Sequence, residues 1–183
     1  MKIEVRTMKY RFSILIFTVL FIFNYGLGSD MLKPGDKAPD FRLMDGTGKW
    51  HQLSDYNDQK LVIYFYPKDD TPGCTAEACN IRDNYSELQE AGIQILGVSY
   101  DDSSSHTAFT KKYDIPFPLL SDTDKEMAEA YGAKGMLTGW LVAQRITIVI
   151  GEGGTIIGVI ENVQTGNHVA QIFEMVRGKS EEK

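Results

Sequence analysis

Short apolar runs alternate with amphipathic segments along most of the chain. Residues 61–66 form a continuous apolar run rich in β-branched and aromatic side chains, which is typical of a strand buried on both faces, and residues 93–99 predict a second strand. Residues 75–90 carry apolar or small side chains every three to four positions, and this spacing predicts a helix that Gly92 ends. Residues 103–113 predict a second helix, because their serine-rich start suits a helix amino terminus.

The rest of the chain continues this alternation of strands and helices. The pattern predicts an extended piece, a helix, the two strands of an antiparallel hairpin and a closing helix, at residues 116–120, 122–131, 145–150, 155–160 and 166–177. A strand–helix–strand–helix order followed by a hairpin and a helix predicts a three-layer α/β sandwich around a central mixed sheet.

The amino-terminal segment differs from this pattern. Residues 1–11 are basic and polar, residues 12–23 are uncharged and apolar, and residues 24–29 are rich in small side chains, which is the order found in secretory signal peptides. An apolar stretch of twelve residues is short for a membrane-spanning helix, which needs about 20 residues. We therefore expect residues 1–28 to be a signal peptide or a membrane anchor, and residues 31–183 to form one domain.

This interpretation sets the expected location of the protein. A functional leader predicts an exported protein, periplasmic or otherwise outside the cytoplasm, with membrane contact only if the leader stays uncleaved. Translation that starts at Met31 predicts a cytoplasmic protein instead.

Charge and length limit the possible functions. The formal net charge is −6 at pH 7 and the chain has no basic run, so nucleic acid is not an expected partner, because duplex binding depends on neutralising phosphates. A chain of 183 residues can bury a large core without covalent cross-links. The two cysteines are therefore not needed to hold a small fold together.

Cys74 lies where a loop meets the start of the predicted helix. The loop contains two prolines and a glycine, which prevent a regular element before the cysteine. At a helix amino terminus the backbone amides have no partners inside the helix, and the helix dipole favours negative charge. These are conditions that favour a reactive thiolate, especially when a cation is near.

Cys79 follows Cys74 by five residues in the same predicted helix. Five residues of helix give about 7.5 Å of rise and about 140° of rotation. A disulfide needs Cα atoms closer than about 7 Å and converging side chains. The two cysteines can therefore form a bond only if the first turns of the helix unwind.

The residues around Cys74 resemble a known family. The pattern Pro67-x-x-x-Thr71-x-x-Cys74 is similar to the active-site motif of peroxiredoxins, and residues 64–79 resemble the bacterioferritin-comigratory protein or peroxiredoxin Q branch. Residues 35–41 and 145–150 of this chain resemble two further segments of that branch. The family usually has an aspartate where this chain has Gly151, which concerns the hairpin turn.

The resemblance implies a thioredoxin-like fold and reduction of hydrogen peroxide and organic hydroperoxides, with no metal or organic cofactor. It implies that Cys74 attacks the peroxide and that Cys79 resolves the product as an intramolecular disulfide. Thr71 and Arg145 would activate the reaction, Pro67 would shield the sulfur, and Glu77 would orient Arg145. A thioredoxin-like dithiol would be the recycling partner, and the protein would be a monomer.

Other functions are compatible with two cysteines. A structural disulfide in a binding or holdase module is one alternative, and a thioredoxin-type oxidoreductase is another, although its Cys-x-x-Cys motif is absent. The four-residue spacing without a second pair argues against zinc. His51, His106 and His168 are scattered, and we expect them at the surface.

Overall fold

A mixed five-stranded sheet organises the computed structural model, which describes residues 32–135 and 141–178. In chain order the strands are β1 (Arg42–Met44), β2 (Trp50–Gln52), β3 (Lys60–Phe65), β4 (Ile93–Ser99), β5 (Leu119–Ser121), β6 (Ile146–Gly151) and β7 (Thr155–Ile160). The main sheet has the order β5-β4-β3-β6-β7, with β4 parallel to β3 and β5, and β6 antiparallel to β3 and β7. The predicted mixed sheet is thus confirmed.

The helices lie between these strands and after them. They are α1 (Pro72–Asp83), α2 (Tyr85–Glu90), α3 (Ser103–Tyr113), α4 (Glu126–Ala130) and α5 (His168–Arg177), and a short 3₁₀ turn spans Leu53–Tyr56. Within the described ranges no helix is long and apolar enough to cross a membrane. The predicted leader over residues 1–28 lies outside the described residues.

Alternate side chains of each buried strand pack into two separate cores, one on each face of the sheet. In β3, Leu61, Ile63 and Phe65 face a core that includes α4, whereas Val62 and Tyr64 face a core that includes α1 and α5. This alternation follows from the two-residue period of a strand. It produces the predicted three layers, with Cys74 in the second of these cores.

The helix predicted over residues 75–90 differs from the structure in two ways. It begins earlier, at Pro72, because proline fits the first helical position, where no amide partner is needed. It is also interrupted at Asn84, which separates α1 from α2. The earlier start places Cys74 inside the first turn of α1.

The hairpin of β1 and β2 was not predicted from the sequence. Each strand has only three residues, which is too short to show a clear alternation of apolar and polar side chains. The segment before β1 bridges to β7 at Lys37.

Candidate active site

Cys74 is the third residue of α1 and is almost fully buried, with 1% of its surface exposed. The helix starts directly after Thr71, and its first backbone bond inside the helix runs from the amide of Thr75 to the carbonyl of Thr71. The amides of Gly73 and Cys74 therefore have no carbonyl partner in the helix. Their N–H groups and the helix dipole favour negative charge at the sulfur.

The register of the sheet brings Arg145 to this helix start. Phe65 at the end of β3 pairs with Ile146 at the start of β6, so Arg145 lies beside the loop that leads to Cys74. Its Nη2 atom donates to the Sγ atom of Cys74 over 3.2 Å. Partial burial acts to lower the pKa of Arg145, but Glu77 and Cys74 outweigh that effect and raise it, so the guanidinium stays charged.

Glu77 holds the other side of the same guanidinium. It lies one helical turn after Cys74, and its Oε2 atom accepts a hydrogen bond from Nη1 of Arg145. The side chain is fully buried. Burial raises the pKa of Glu77 to about 7, although the charge of Arg145 and its hydrogen bond oppose this shift.

His168 lies behind Glu77, at the first position of α5. Its Nε2 atom is 2.8 Å from the hydroxyl of Thr147. Its Nδ1 atom is 3.2 Å from Oε1 of Glu77, yet neither of these two atoms makes a hydrogen bond within the part of the chain that the structure describes. Burial, together with the nearby charge of Arg145, lowers the pKa of His168 to about 4, so the imidazole is neutral at pH 7.

The prediction that the three histidines lie at the surface was wrong. His51, His106 and His168 are 3%, 0% and 0% exposed. Each lies near a carboxyl group: Asp45 for His51, Asp69 for His106 and Glu77 for His168. A polar residue can be buried when a partner replaces its water, and the hydrophobic pattern of a sequence does not reveal such partners.

Thr71 and Pro67 lie in the loop between β3 and α1. The hydroxyl of Thr71 donates to the carbonyl of Lys68 over 3.0 Å, and in the described structure it makes no hydrogen bond to the sulfur of Cys74. Pro67 is partly exposed near the start of this loop. The structure therefore brings Cys74 and Glu77 into contact with Arg145 and places Thr71 and Pro67 in the adjoining loop.

Cys79 lies in the same helix as Cys74, and both thiols are free. Cys79 is partly exposed, whereas Cys74 is buried. With α1 intact, the rise of about 7.5 Å between the two residues exceeds the Cα separation of a disulfide, so they cannot be bonded in this conformation.

A buried carboxylate in the loop was missed by the sequence interpretation. Asp69 accepts hydrogen bonds from Tyr66 over 2.7 Å and from Ser105 over 2.7 Å, and it lies 2.9 Å from Nδ1 of His106. Its exposed fraction is 6%. An aspartate between two prolines is typical of an ordinary turn, so no sequence pattern indicated this burial.

This arrangement suits a nucleophilic thiolate. A guanidinium and the amino terminus of a helix favour negative charge on a sulfur that bulk water barely reaches. Among the described residues, no group of three or more histidine, cysteine or acidic side chains could hold a metal ion.

The chain matches known proteins over most of its length. Residues 34–159 match the AhpC/TSA family. A bcp-type peroxiredoxin from Coxiella burnetii is 41% identical over 152 residues, which cover 77% of this chain and 96% of the relative.

Two solved structures extend the similarity to the fold. The peroxidoxin BcpB from Mycobacterium tuberculosis has a TM-score of 0.74 and 33% identity, covering 80% of this chain and 97% of that one. The bacterioferritin comigratory protein of Xanthomonas campestris, described for its alkyl peroxide reduction activity, has a TM-score of 0.73 and 28% identity. The match covers 84% of this chain and 100% of that one. These matches confirm the resemblance found in the sequence and its thioredoxin-like fold.

Proposed function

The chain belongs to the AhpC/TSA family and is a thiol peroxidase of the peroxiredoxin type, and we propose that Cys74 attacks the peroxide while Cys79 resolves the product. The observation that carries this assignment is the 3.2 Å contact between Nη2 of Arg145 and Sγ of Cys74. A fixed cation at that distance stabilises the thiolate, which is the nucleophilic form of cysteine.

The first step transfers one oxygen atom to sulfur. The thiolate of Cys74 attacks the terminal oxygen of R–O–O–H, the S–O bond forms and the O–O bond breaks. The sulfur is oxidised by two electrons to a sulfenic acid, and the leaving alkoxide takes a proton to become R–OH. Arg145 contacts the sulfur, and we assign to it the stabilisation of the charge that moves from sulfur to the departing oxygen.

We assign supporting roles to the other predicted site residues. The hydroxyl of Thr71 donates its hydrogen bond to the carbonyl of Lys68. Its oxygen lone pairs are therefore able to accept a hydrogen bond from a peroxide. Pro67 shields the sulfur from water. Glu77 holds Nη1 of Arg145, so that Nη2 stays directed at Cys74.

The second step requires α1 to open. The sulfenic acid of Cys74 condenses with the thiol of Cys79, which forms the S–S bond and releases water. Because the intact helix keeps these residues apart, its first turns must unwind before the bond forms. A dithiol such as a thioredoxin-like protein then reduces the disulfide to two thiols and becomes oxidised itself.

We propose that both hydrogen peroxide and organic hydroperoxides are substrates. The Xanthomonas campestris neighbour is described for alkyl peroxide reduction, which supports the organic class. The contacts at Cys74 engage the reacting sulfur and do not select a particular R group.

One experiment tests the two-cysteine cycle. The reduced protein, the Cys74→Ser variant and the Cys79→Ser variant are each treated with stoichiometric hydrogen peroxide, and free thiols and intact mass are followed with time. The wild type should lose two thiols and about 2 Da, Cys74→Ser should not react at this site, and Cys79→Ser should gain about 16 Da as a sulfenic acid. Equal reactivity of the wild type and Cys74→Ser would exclude Cys74 as the attacking residue.

We also propose that the protein is exported. The support is the order of basic, apolar and small residues in segment 1–29. Amino-terminal sequencing of the protein from fractionated cells tests this: a new terminus near Ser29 in the extracytoplasmic fraction is expected. A cytoplasmic protein that begins at Met31 would overturn the proposal.

A further inference from the structure

Asp69 connects the loop before Cys74 to helix α3. One carboxylate oxygen accepts a hydrogen bond from the hydroxyl of Tyr66, which directly follows β3. The other accepts a hydrogen bond from the hydroxyl of Ser105 and lies 2.9 Å from Nδ1 of His106. The backbone amide of Asp69 donates to Oδ2 of Asp101 over 2.8 Å. The middle of the loop is therefore fixed from both sides by groups that are themselves buried or part-buried.

The neighbouring residue shows that this loop is held in an uncommon conformation. Asp70 has φ of 55°, in the left-handed region that non-glycine residues seldom adopt. Its carboxylate accepts hydrogen bonds from Lys112 and from Tyr113 at the carboxyl end of α3. Both aspartates thus tie the loop to the same helix, Asp69 through buried groups and Asp70 at the surface.

The hydrogen bonds of Asp69 extend to Thr71 through the backbone. Lys68, directly before Asp69, presents the carbonyl that accepts the hydroxyl of Thr71. A fixed Asp69 therefore fixes the acceptor that orients this hydroxyl. We propose that Asp69 is a positioning residue: it shapes the peroxide-binding loop without touching the sulfur. This inference rests on the proposed function of Cys74.

The chain contains a matched control for this role. Asp45 is also 6% exposed, and it lies 2.9 Å from a buried imidazole, that of His51. Its other partners are Thr47 and Lys49, in the turn between β1 and β2. Replacing either aspartate by asparagine removes one buried carboxylate next to a histidine, but only Asp69 belongs to the loop of Thr71.

The test compares two reactions of the same thiol. In a Cys79→Ser background Cys74 is the one remaining thiol. Its rate constants with hydrogen peroxide and with iodoacetamide are both measured. Alkylation requires an accessible thiolate, whereas the peroxide reaction also requires the loop to position the substrate. We expect Asp69→Asn to lower the ratio of the peroxide rate to the alkylation rate by about tenfold or more, since small misplacements have effects of this size. Asp45→Asn should leave this ratio unchanged.

A milder pair of variants covers the case in which Asp69→Asn does not fold. Tyr66→Phe removes one hydroxyl donor from Asp69, and Tyr56→Phe removes the hydroxyl that lies 2.6 Å from His51. The first should lower the ratio and the second should not. An unchanged ratio in the Asp69 and Tyr66 variants, or an equal loss in the control variants, would overturn the positioning role. If the Cys79→Ser parent itself does not react with peroxide, the proposed function of Cys74 fails first.

Discussion

At the scale of single residues, Glu77 and His168 meet behind Arg145, and burial moves their pKa values in opposite directions. It raises the pKa of Glu77 to about 7 and lowers that of His168 to about 4. Both shifts favour the neutral forms. Burial therefore opposes the charged forms of both residues, although the charge of Arg145 favours an ionised Glu77.

The effect of Glu77 on stability should depend on pH. Its ordinary pKa is 4.5 and its value in the fold is about 7, so its contribution to stability is present below about pH 4.5 and is lost as pH rises through about 7. The free energy of unfolding of the wild type minus that of Glu77→Gln should therefore fall by about 3 kcal/mol between pH 4.5 and pH 7.5. Urea unfolding of the reduced proteins across this range measures the difference.

Asp45→Asn provides a control of opposite sign. Burial acts to raise the pKa of Asp45, but hydrogen bonds from Thr47, His51 and Lys49 outweigh it and lower the pKa below its usual range. Its contribution is present at neutral pH and is lost as pH falls through the lowered pKa. The free energy of unfolding of the wild type minus that of Asp45→Asn should therefore decrease as the pH falls into the acid range. A free-energy difference that does not change with pH for Glu77→Gln, or that changes in the same direction for both variants, would contradict these assignments.

Arg145, which contacts the sulfur, and Glu77, which holds Arg145, could be predicted from the sequence, whereas the residues behind them could not. Cys74, Arg145 and Glu77 belong to segments similar to a known motif, and the structure brings them together. His168 and Asp69 are buried polar groups. Tyr66 is close to Asp69 in the chain, but its other partners, Ser105 and His106, are distant, as is Thr147 from His168. Because burial of a polar group depends on such distant partners, a local sequence pattern gives no sign of it.

At the scale of secondary structure, helix α1 combines a reactive first turn with a firmly held carboxyl end. The side chain of Asn84 donates to the carbonyl of Asn80 over 2.7 Å, which is the acceptor that the amide of residue 84 would use in a continuous helix. That amide bonds to Ile81 instead, and the helix ends. Asn80 in turn bonds through its side chain to Gly166 and to Val169 near the start of α5.

The break at Asn84 explains why periodicity predicted one helix over residues 75–90. The apolar spacing continues across the break, because α1 and α2 both face the same core. The interruption comes from one side chain that competes with the backbone. Asparagine occurs in helices and in turns, so its presence alone does not fix this outcome.

We predict that oxidation opens the first turns of α1 and leaves its carboxyl end in place. Amides 76–79 lose their carbonyl acceptors when residues 72–75 unwind, so their hydrogen exchange in the disulfide form should rise by about tenfold or more over the reduced form. Exchange in α5 should not change. Mass spectrometry of exchanged peptides measures both regions.

The Cys79→Ser variant separates unwinding from oxidation of Cys74 alone. After peroxide treatment it carries a sulfenic acid but has no thiol with which to form the disulfide, so residues 76–79 should keep more protection than in the oxidised wild type. Equal protection in reduced and disulfide-bonded wild type would show that the two cysteines meet by another movement.

At the scale of the whole molecule, the segments before β3 cover both edges of the main sheet. Lys37 bridges to Thr155 on the edge strand β7, and Asp45 bridges to Leu120 on the opposite edge strand β5. An uncovered edge strand presents free amides and carbonyls to other chains. The amino-terminal part of the fold therefore completes a sheet whose other strands come later in the sequence.

The layers of the fold could be predicted from the sequence, but this edge cover could not. The apolar runs of β3, β4, β6 and β7 are long enough to show their period, and their order limits the possible topologies. The covering segment makes isolated bridges rather than a strand, and two prolines interrupt it. Its position depends on main-chain partners more than one hundred residues away, such as the carbonyl of Ile156.

Deleting residues 32–38 from a chain that begins at Met31 should destabilise the protein and promote association. The deletion removes three backbone hydrogen bonds to β7 and its turn, between Gly35 and Ile156, Asp36 and Ile156, and Ala38 and Gly154. At about 1 kcal/mol each, their loss should cost about 3 kcal/mol of stability, and the exposed edge should pair with other copies. Thermal unfolding and sedimentation at several concentrations measure both effects. Lys37→Ala keeps these backbone bonds and removes only two exposed side-chain hydrogen bonds, to Gly153 and Thr155, so it should lose far less stability than the deletion. A deleted chain that is as stable as the parent and sediments like it would show that the edge needs no cover.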